Sequence, residues 1–498
     1  MTQASSTLVL LPILIPLFGA ATALLLYKRP RLQAAWSFGT IFLSAATSAE
    51  LLYLVWQRNQ AVAFQVGAWP APIGISIVGD MLSATLAFMA QFVLTTGFLY
   101  ALGSRDKVVQ YPGFYPLFLG LAAGLTGALL SGDLFNLFVF AELLVISGTV
   151  LTAISDDKYG TEAAYKYFYI SLLASICLLI ASGSLYASYG TLNMADLAQR
   201  ISANPDRPLT ALAMVLLMVT FMIKGAVFPF HFWQPDFHTT SPTPVSAMLS
   251  SVVVKLGVYG FIRMTTLIFL PYRDTIELVL ILLGAFGVLF GGLSAIGTDN
   301  VKRMLAYSTV GQVGFILVAI GWGTPAALAA AVLFTFNHSL IKSAMLMLSG
   351  FVASRAAIKS TSFSVLRGIG KQLPFAGVLF LIGGLALAGI PPTNGFLNKL
   401  ALFRSGIEAG EFASLAFIAA ASAFTMVYVI RAFQQIWWQA PAEGVYAKSS
   451  GDRLAAPTIL ITLSLLIGLW GEPLVRLAQD TAIWLNTPVN YLQLVFGV

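Results

Sequence analysis

Apolar runs follow one another along most of this chain and are separated by short polar stretches. A helix needs about 20 apolar residues to cross a bilayer, and this length divides the pattern into about fourteen segments. We number them 1 to 14, with expected spans of 7–27, 32–56, 76–103, 112–130, 133–154, 162–189, 209–230, 242–268, 275–297, 301–321, 325–353, 372–402, 411–438 and 454–475. Strand character is limited to short loop pieces such as 62–69. The pattern therefore predicts an all-α polytopic membrane protein.

The composition agrees with this interpretation. Of the 498 residues, 58% are hydrophobic and only 9% are charged, and the mean hydropathy is +0.85. Soluble globular domains do not have this composition, whereas helices in a bilayer tolerate it because their backbone groups bond within each helix. The amino-terminal run has neither a basic region nor a small-residue cleavage site, so we interpret it as segment 1 and not as a removed signal peptide.

The distribution of basic residues predicts the orientation of the segments. The net charge is +7, which in a soluble protein would suggest a nucleic-acid partner. Here the basic residues lie mostly in short loops, so the expected partner is the lipid bilayer. Odd-numbered loops with their helix ends hold 16 of the 27 lysines and arginines, and even-numbered loops with the carboxyl tail hold 7. By the positive-inside rule, odd loops face the cytoplasm and both termini lie outside.

Four lysines remain, and all of them fall inside predicted segments: Lys224, Lys255, Lys342 and Lys399. An ammonium group in hydrocarbon costs about 2.5–3.5 kcal/mol at the centre of a helix. A paired opposite charge, a wet cavity or loss of the proton would each lower this cost. All three explanations are typical of a path for protons, and we interpret the four lysines in this way.

Two further ionisable side chains lie inside segments. Glu142 is in the middle of segment 5, where a carboxylate is either protonated or paired with a cation. Lys224 is the expected partner, as part of a proton path or of a structural ion pair between segments 5 and 7. In segment 11, His338 and Lys342 are four residues apart and share one helix face. Histidine titrates near neutral pH, which suits a proton relay; the alternative is a hydrogen-bonded core histidine.

Two breaks interrupt the apolar pattern. The first follows segment 7, on the predicted cytoplasmic side, and contains His231, Asp236 and His238. These residues form either an inlet for protons or cations, or a solvated loop. The second, at 389–395, lies five segments later and leads to Lys399. Because five is an odd number, the two copies would be inverted, and inverted repeats with broken helices are typical of transporters. A simple proline kink stays an alternative at the second break.

Other chemistry has little support in the sequence. The chain has one cysteine, Cys177, and three histidines, and they form no recognisable ligand set for a metal, haem or iron–sulfur cluster. We therefore expect no metal, no cofactor and no redox or hydrolytic site of its own, although the chain could belong to a larger translocase complex. Glu50 belongs either to a second cation path or to an interface with another subunit. Asp80 is expected to cap segment 3 at its amino end.

Five motifs resemble the antiporter-like subunits that respiratory complex I, membrane-bound hydrogenases and Mrp-type multisubunit cation/proton antiporters share. The motifs are GDLFNLFVFAELLVIS, FMIKGAVFPFHFWQPDFHTTSPTPVSAMLSSVVVKLGVYGFIR, DNVKRMLAYSTVGQVGFI, FNHSLIKSAMLMLSG and LAGIPPTNGFLNKL. The resemblance implies fourteen helices in which segments 4–8 and 9–13 form two inverted five-helix repeats, with segments 7 and 12 broken. The implied division of the chain is 1–111, 112–270, 271–440 and 441–498.

The resemblance also implies roles for individual residues. The proton-translocation groups of the family match five residues of this chain: Glu142, Lys224, Lys255, His338 and Lys399. We add Lys342 to this set because it lies four residues after His338 on the same helix face. Glu142 would keep Lys224 protonated until the two separate. The proton would then pass through water along the remaining groups and leave at Lys399.

Within this superfamily, the length and the motifs look most like the D-type members of Mrp antiporters. Lysine at position 399, and an end soon after segment 14 without a long lateral helix, argue against two of the complex I members. Gln234 and Phe237 depart from the leucine and alanine usual in the superfamily, which leaves a hydrogenase or complex I subunit open. We expect a proton-translocating subunit of a monovalent cation (Na+)/proton antiporter, with other subunits as partners, in a prokaryotic cell membrane. A non-conducting structural subunit and a carrier acting alone are the remaining classes.

Overall fold

This computed structural model describes residues 7–154, 158–441 and 446–497. Most of these residues are helical. Within those ranges, ten helices are long and apolar enough to cross a membrane, or eleven spans if one bent pair counts as a single span. Three shorter apolar helices accompany them, at Phe114–Leu129, Thr210–Lys224 and Pro374–Ala388. The polytopic all-α architecture is therefore confirmed. The count of fourteen spans, the inverted repeats and the four-part division of the chain stay predictions.

The first half of the chain contributes ten helices: α1 Leu11–Leu25, α2 Pro30–Gln57, α3 Met81–Gly103, α4 Phe114–Leu129, α5 Leu134–Ala153, α6 Lys158–Tyr189, α7 Met194–Ala203, α8 Thr210–Lys224, α9 Trp233–Thr240 and α10 Thr243–Ile268. The second half contributes nine helices of at least 9 residues: α11 Arg273–Gly297, α12 Val301–Gly321, α13 Pro325–Arg355, α14 Pro374–Ala388, α15 Asn394–Glu408, α16 Phe412–Phe433, α17 Ala455–Leu469, α18 Glu472–Leu485 and α19 Pro488–Phe496. The small α7 lies in a connection that the sequence analysis leaves without structure.

Two residues of the sequence motifs start helices. The Asp133 carboxylate accepts hydrogen bonds from the backbone N–H groups of Phe135 and Asn136, both at 2.9 Å, where α5 begins. The Asn300 side chain accepts from Lys302 and Arg303 N–H at 3.0 and 3.2 Å, where α12 begins. Such caps satisfy amide groups that have no partner within the helix. The two motif residues therefore fix the ends of membrane helices.

A small hairpin precedes α3. Strand β1, Val62–Gln65, pairs antiparallel with β2, Ser76–Gly79, and Val62 lies opposite Gly79. The prediction of helix from position 76 is wrong, because β2 occupies 76–79 and α3 begins only after Asp80. The Asp80 carboxylate accepts from Ser83 N–H at 2.9 Å, so the predicted cap is confirmed.

Both predicted breaks interrupt helices. α8 ends at Lys224, and a turn separates it from α9. α14 ends before Gly389, whose φ of +79° lies in the left-handed region that glycine adopts without strain. A Cβ atom at this position would also lie 2.4 Å from Cδ of Lys399. Glycine is therefore required here both for the turn and for the passage of the lysine side chain.

The centre of the bundle is formed by α10, α12 and α13. The most apolar 18-residue windows of α10 and α13 are entirely buried, whereas only 28% of the corresponding window around α16 is buried. Helices that are covered on every side belong to the interior of a large bundle. Lys255 on α10 and His338 and Lys342 on α13 are therefore core residues.

The carboxyl-terminal region is more structured than the sequence analysis expects. The predicted span of segment 14, 454–475, is wrong beyond Leu469, because α17 ends there and α18 continues at an angle of 80°. Pro473 stands in the first turn of α18, where its missing N–H has no cost. The indole of Trp56 on α2 donates a hydrogen bond of 2.8 Å to Asp480 of α18. The region that the sequence analysis treats as a tail is thus two helices that pack on the bundle.

Candidate functional site

Glu142 and Lys224 approach each other across a third residue, Ser175 of α6. The Ser175 hydroxyl donates a hydrogen bond to Oε1 of Glu142. Lys224 Nζ lies 3.4 Å from Ser175 Oγ and donates to it. The ion pairs of the described residues do not include a direct one between Glu142 and Lys224. The structure therefore brings the predicted partners together through a hydroxyl bridge.

Ser175 is not among the residues predicted from the sequence, although α6 carries a row of hydroxyl side chains. Ser171, Ser175 and Ser182 are all buried and lie at helical spacing on α6. A row of hydroxyls along one face of a membrane helix is a common device for helix packing, so the row alone does not distinguish a functional serine. Only the positions of Glu142 and Lys224 in space identify Ser175.

Lys255 and His338 form the central contact of the site. Lys255 Nζ lies 2.7 Å from Nδ1 of His338, and the two side chains are 0% and 1% exposed. When Lys255 carries its proton, Nδ1 must accept the hydrogen bond and the ring hydrogen is on Nε2. Among the described residues, Nε2 of His338 has no hydrogen-bond partner. The imidazole thus has one nitrogen bonded to the lysine and a second that is free to exchange a proton.

Lys342 forms its hydrogen bonds with a different helix from the one that His338 contacts. Its Nζ donates to Ser308 Oγ at 2.7 Å and to the carbonyl oxygen of Leu305 at 3.2 Å, both on α12. Ser308 Oγ in turn lies 2.7 Å from the hydroxyl of Tyr428 on α16. His338 and Lys342 are one turn apart on α13, as predicted, but they form hydrogen bonds with different helices. Ser308 and Tyr428 are additional polar residues that the sequence analysis does not identify.

Lys399 lies at the break between α14 and α15. Its Nζ donates a hydrogen bond of 2.7 Å to the carbonyl oxygen of Ala388, the last residue of α14. The final carbonyl groups of a helix lack partners within the helix and carry partial negative charge. The ammonium group thus satisfies a carbonyl that the break leaves free.

An amide cluster connects α13 with the residues around Lys399. Asn337 donates to Oδ1 of Asn398 at 2.5 Å, and Asn394 donates to Oδ1 of Asn337 at 3.1 Å. Ser464 of α17 donates to Oδ1 of Asn394. Asn337 is adjacent to His338 in sequence, and Asn398 is adjacent to Lys399. The cluster therefore ties the second half of the broken helix to the helix that carries His338.

The three residues of the predicted inlet do not form one cluster. Asp236 is 37% exposed at its side chain and pairs with Lys166 at 3.1 Å and with Arg303 at 3.4 Å. His231 is buried among aromatic rings, including that of Phe290. His238 is fully buried, and its Nδ1 lies 3.2 Å from Ser246 Oγ. The structure separates the surface carboxylate from the two histidines.

A cavity lies beside the turn between α9 and α10. Its volume is about 520 Å³, and its lining includes Lys302, Ser241, Thr243 and Ser360. Lys302 is only 5% exposed, and its Nζ donates to the carbonyl oxygen of Ser241 at 3.1 Å. The sequence analysis counts Lys302 among the loop charges that set topology. Its burial follows from tertiary packing two residues after the cap of α12.

Asp80 and Glu50 differ in their surroundings. The Asp80 carboxylate accepts two hydrogen bonds from Arg263, at 2.7 and 2.8 Å, and both side chains are buried. The guanidinium carbon of Arg263 lies 5.2 Å from the ring centre of Tyr259 and 4.9 Å from that of Tyr491 on α19. Glu50 instead is exposed on α2. Asp80 is thus more than a helix cap, because it holds the arginine that contacts the carboxyl-terminal helix.

Known proteins are similar to this chain over the whole region that contains the site residues. The model of the NADH:quinone oxidoreductase/Mrp antiporter transmembrane family matches residues 131–425, a range that runs from before Glu142 to beyond Lys399. The D subunit of the Na(+)/H(+) antiporter of Bacillus subtilis is 32% identical over 492 residues, which are 98% of this chain and 99% of that protein. The N subunit of the NADH-quinone oxidoreductase of Desulforudis audaxviator is 33% identical over 477 residues, which are 92% and 94% of the two chains.

A solved structure has the same architecture. A chain of the Mrp complex from Dietzia sp. superposes with a TM-score of 0.91 at 27% sequence identity, and the match covers 100% of both chains. The similarity therefore includes the helices outside the range of the family model, among them α1 to α3 and α17 to α19.

Proposed function

This chain belongs to the NADH:quinone oxidoreductase/Mrp antiporter transmembrane family, and we propose that it is the D-type, proton-translocating subunit of a multisubunit Na+/H+ antiporter. The full-length similarity to the D subunit of a bacterial Na(+)/H(+) antiporter and to a chain of an Mrp complex supports this assignment. The ions are H+ and Na+, the partners are the other subunits of the complex, and the chain lies in the cell membrane of a prokaryote. The chain has no catalytic redox or hydrolytic site of its own in this proposal.

The observation that carries the proposal is a series of ionisable groups within the bundle, of which Glu142 is half-buried and the others are buried. It starts at Glu142 and Lys224, continues through the contact of Lys255 with His338 and through Lys342, and ends at Lys399. Buried ionisable side chains are costly inside a membrane and are typical of proton relays. Each of the four lysines donates a hydrogen bond to a polar atom, so none depends on hydrocarbon alone.

Protons move along this series in steps. Glu142 stabilises the protonated form of Lys224; when the two separate, the desolvated ammonium group gives up its proton. The proton passes through water to Lys255, and His338 takes it at Nδ1, 2.7 Å away. Lys342 is the next acceptor, and Lys399 releases the proton at the break between α14 and α15. Water fills the intervals between Lys224 and Lys255 and between Lys342 and Lys399, where polar side chains offer it partners.

The inlet of the path is the cavity at Lys302. His238 directly precedes Thr239, which lines the cavity, and its Nδ1 lies 3.2 Å from Ser246 Oγ on α10, so we place it next after the cavity on the path. His231 and Asp236 take part less directly, since His231 is enclosed by aromatic rings and Asp236 is paired at the surface. This assignment agrees with the predicted cytoplasmic side of the break after α8.

The same proposal includes the finer architecture. The chain crosses the membrane about fourteen times, both termini lie outside, and the regions 112–270 and 271–440 form two inverted repeats. The interruptions between α8 and α9 and between α14 and α15 are equivalent positions of these repeats. Each interruption has a lysine beside it, Lys224 and Lys399, which is the arrangement expected of a transporter built from inverted halves.

The alternative is a proton-pumping subunit of a complex I-type oxidoreductase or of a membrane-bound hydrogenase. The identity of 33% with the N subunit of an NADH-quinone oxidoreductase favours it. Mass spectrometry of the intact complex distinguishes the two functions. Small antiporter subunits as partners support antiport, whereas quinone-reductase or hydrogenase subunits support the alternative.

Exchange of cations for protons by the whole complex tests the proposed function. The Lys224→Ala variant is expressed with its partner subunits, and pH-dependent exchange is measured in everted vesicles. We expect exchange to be lost because the first lysine of the path is missing. Lys28→Ala, at an exposed lysine near the end of α1, is the control and should exchange normally. Normal exchange by Lys224→Ala would show that this path does not carry the protons.

A further inference from the structure

The hydroxyl of Ser175 has three polar neighbours. Lys224 Nζ donates to Oγ at 3.4 Å, while the Glu142 carboxylate and the carbonyl oxygen of Ser171, the latter at 3.0 Å, can each accept the hydroxyl hydrogen. A serine hydroxyl has one hydrogen to donate and two lone pairs to accept with. It can therefore accept from Lys224 at all times but can donate to only one of the two acceptors at a time.

We propose that Ser175 is the proton bridge between Lys224 and Glu142, and that rotation of its hydroxyl toward Ser171 opens and closes this bridge. The inference rests on the proposed function. In the closed state, the Nζ–H bond of Lys224 breaks as an Oγ–H bond forms, and the original Oγ–H bond breaks as an Oε1–H bond forms on Glu142. The net change is one proton moved from the ammonium group to the carboxylate, and the serine ends unchanged. The reverse exchange returns this proton from Glu142 to Lys224, which can then pass it toward Lys255. No electron transfer or co-reactant is involved.

In the open state, the hydroxyl hydrogen points to the Ser171 carbonyl. Glu142 then has no donor from Ser175, and no proton can move from Lys224 to the carboxylate through the hydroxyl. The two states differ by rotation about the Cβ–Oγ bond of one side chain, which requires no movement of α6. A local rotation of this kind can control whether Lys224 is paired or free to pass its proton toward Lys255.

The surroundings leave Ser175 as the polar connection between the two charges. Ser175 is 3% exposed and Lys224 is 8% exposed, while Glu142 is half-buried, so the lysine end of the contact is shielded from bulk water. Thr220 lies one turn before Lys224, but its hydroxyl donates to the carbonyl oxygens of Ala174 and Leu216. In the described structure, the hydrogen bonds found for Lys224 Nζ and for the Glu142 carboxylate are those with Ser175.

Three variants of α6 test the bridge in the full complex. Ser175→Ala removes the hydroxyl, Ser175→Cys keeps a side chain of similar shape with a weaker donor, and Ser182→Ala is the matched control. Ser182 is also buried on α6, but its hydroxyl donates only to the carbonyl oxygen of Leu178 in the hydrogen bonds described. We expect exchange to fall by about tenfold or more in Ser175→Ala, to fall less in Ser175→Cys, and to stay normal in Ser182→Ala.

Two measurements separate proton transfer from a packing role. The ratio of exchange rates in H2O and D2O should change in Ser175→Ala, because a step with a transferred hydroxyl hydrogen has been removed. Infrared spectra of the purified complex should show the C=O band of protonated Glu142, identified by its absence in Glu142→Gln, at higher frequency in Ser175→Ala because a hydrogen bond is lost. A Ser175 variant that assembles with a normal rate, isotope ratio and carboxyl band would overturn the bridge.

This inference and the proposed function fail in different ways. If Lys224→Ala abolishes exchange while Ser175→Ala and Ser175→Cys behave like the unmodified protein, the path stands and the bridge is wrong. If Lys224→Ala exchanges normally, the proposed function itself is wrong.

Discussion

The nitrogen of the Lys255 side chain lies 2.7 Å from Nδ1 of His338, in the part of the bundle where both side chains are fully covered. The two residues are on α10 and α13, which are the central helices. A proton donor and a proton acceptor at hydrogen-bond distance need no water between them for transfer. This contact is therefore the step of the path that depends least on hydration.

Replacing the imidazole tests this step. In His338→Gln, the amide oxygen can still accept a hydrogen bond from Lys255, but the side chain cannot take up a proton at neutral pH. We expect assembly of the complex to persist and exchange to fall by about a hundredfold or more, the usual effect of removing a general acid–base group. Exchange in everted vesicles, normalised to the amount of assembled complex, is the measurement. Exchange at the normal rate would show that His338 is a structural partner of Lys255.

Three of the four lysines lie at or near irregularities of the helices. Lys224 is the last residue of α8, and Lys399 bonds to the last carbonyl of α14. Lys255 follows a π-helical stretch, Leu249–Val253, within α10. The carboxyl-terminal end of a helix carries partial negative charge, and π-bulges are frequent at functional sites. Of the three, Lys399 bonds to a backbone carbonyl that such an irregularity frees, whereas Lys224 bonds to the Ser175 hydroxyl and Lys255 to the His338 ring.

The buried pair of Asp80 and Arg263 is expected to hold α3, α10 and α19 together. Arg263→Ala leaves the Asp80 carboxylate buried without its cation, and breaking a buried pair in this way costs about 3–5 kcal/mol. Thermal unfolding of the purified complex should show a clear loss of stability. Arg476→Ala removes the exposed pair with Glu472 of α18, and exposed pairs contribute about 0–1 kcal/mol. Equal effects of the two variants would contradict a stabilising role for the buried pair.

Much of the fold could be predicted from the sequence, because helix length and apolar runs are local properties. Strand β2 could not, since its apolar residues continue directly into those of α3 and only Asp80 marks the boundary. The sequence predicts most residues of the candidate site, but of their contacts it predicts only the approach of Glu142 and Lys224. The partners of Lys342, for example, are on α12, and spacing along α13 says nothing about which neighbouring helix a side chain faces.

Lys302 and Ser175 illustrate the same limit. Lys302 follows the cap of α12 and reads as a cytoplasmic loop charge, yet the packing of its neighbours buries it beside a cavity. Ser175 reads as one of several small residues on a membrane helix. In both cases the chemistry depends on which residues meet across helices. The periodicity of a single sequence does not show which residues meet across helices.

The amide cluster at the second break should control the position of Lys399. Asn337→Ala leaves the amide groups of Asn394 and Asn398 without one partner each, and an unsatisfied buried polar group costs about 1–3 kcal/mol. We expect lower thermal stability together with weaker exchange. Ser349→Ala, at a buried residue of α13 whose hydroxyl bonds to the Met345 carbonyl, is the control for a polar deletion in the same helix. Unchanged exchange in Asn337→Ala would show that the cluster does not position Lys399.

The cavity beside Lys302 should open to the cytoplasm, and cysteine labelling can test its side of the membrane. Cys177 is the single cysteine, so Cys177→Ser gives a background without thiols. In that background, Ser360→Cys places a thiol in the lining of the cavity. Glu408→Cys places one in the lining of a second cavity, at the end of α15 that leads into an even-numbered loop and is predicted to lie outside.

A membrane-impermeant maleimide should then label Ser360→Cys in everted vesicles but not in intact cells, and Glu408→Cys with the opposite preference. The reason is that odd loops face the cytoplasm under the positive-inside rule. Addition of Lys302→Ala should leave the labelling of Ser360→Cys intact while it slows exchange, because the lysine acts on the path and not on the side to which the cavity opens. Labelling of Ser360→Cys from the outside would place the inlet on the wrong face and remove the basis for proton uptake through Lys302 and His238.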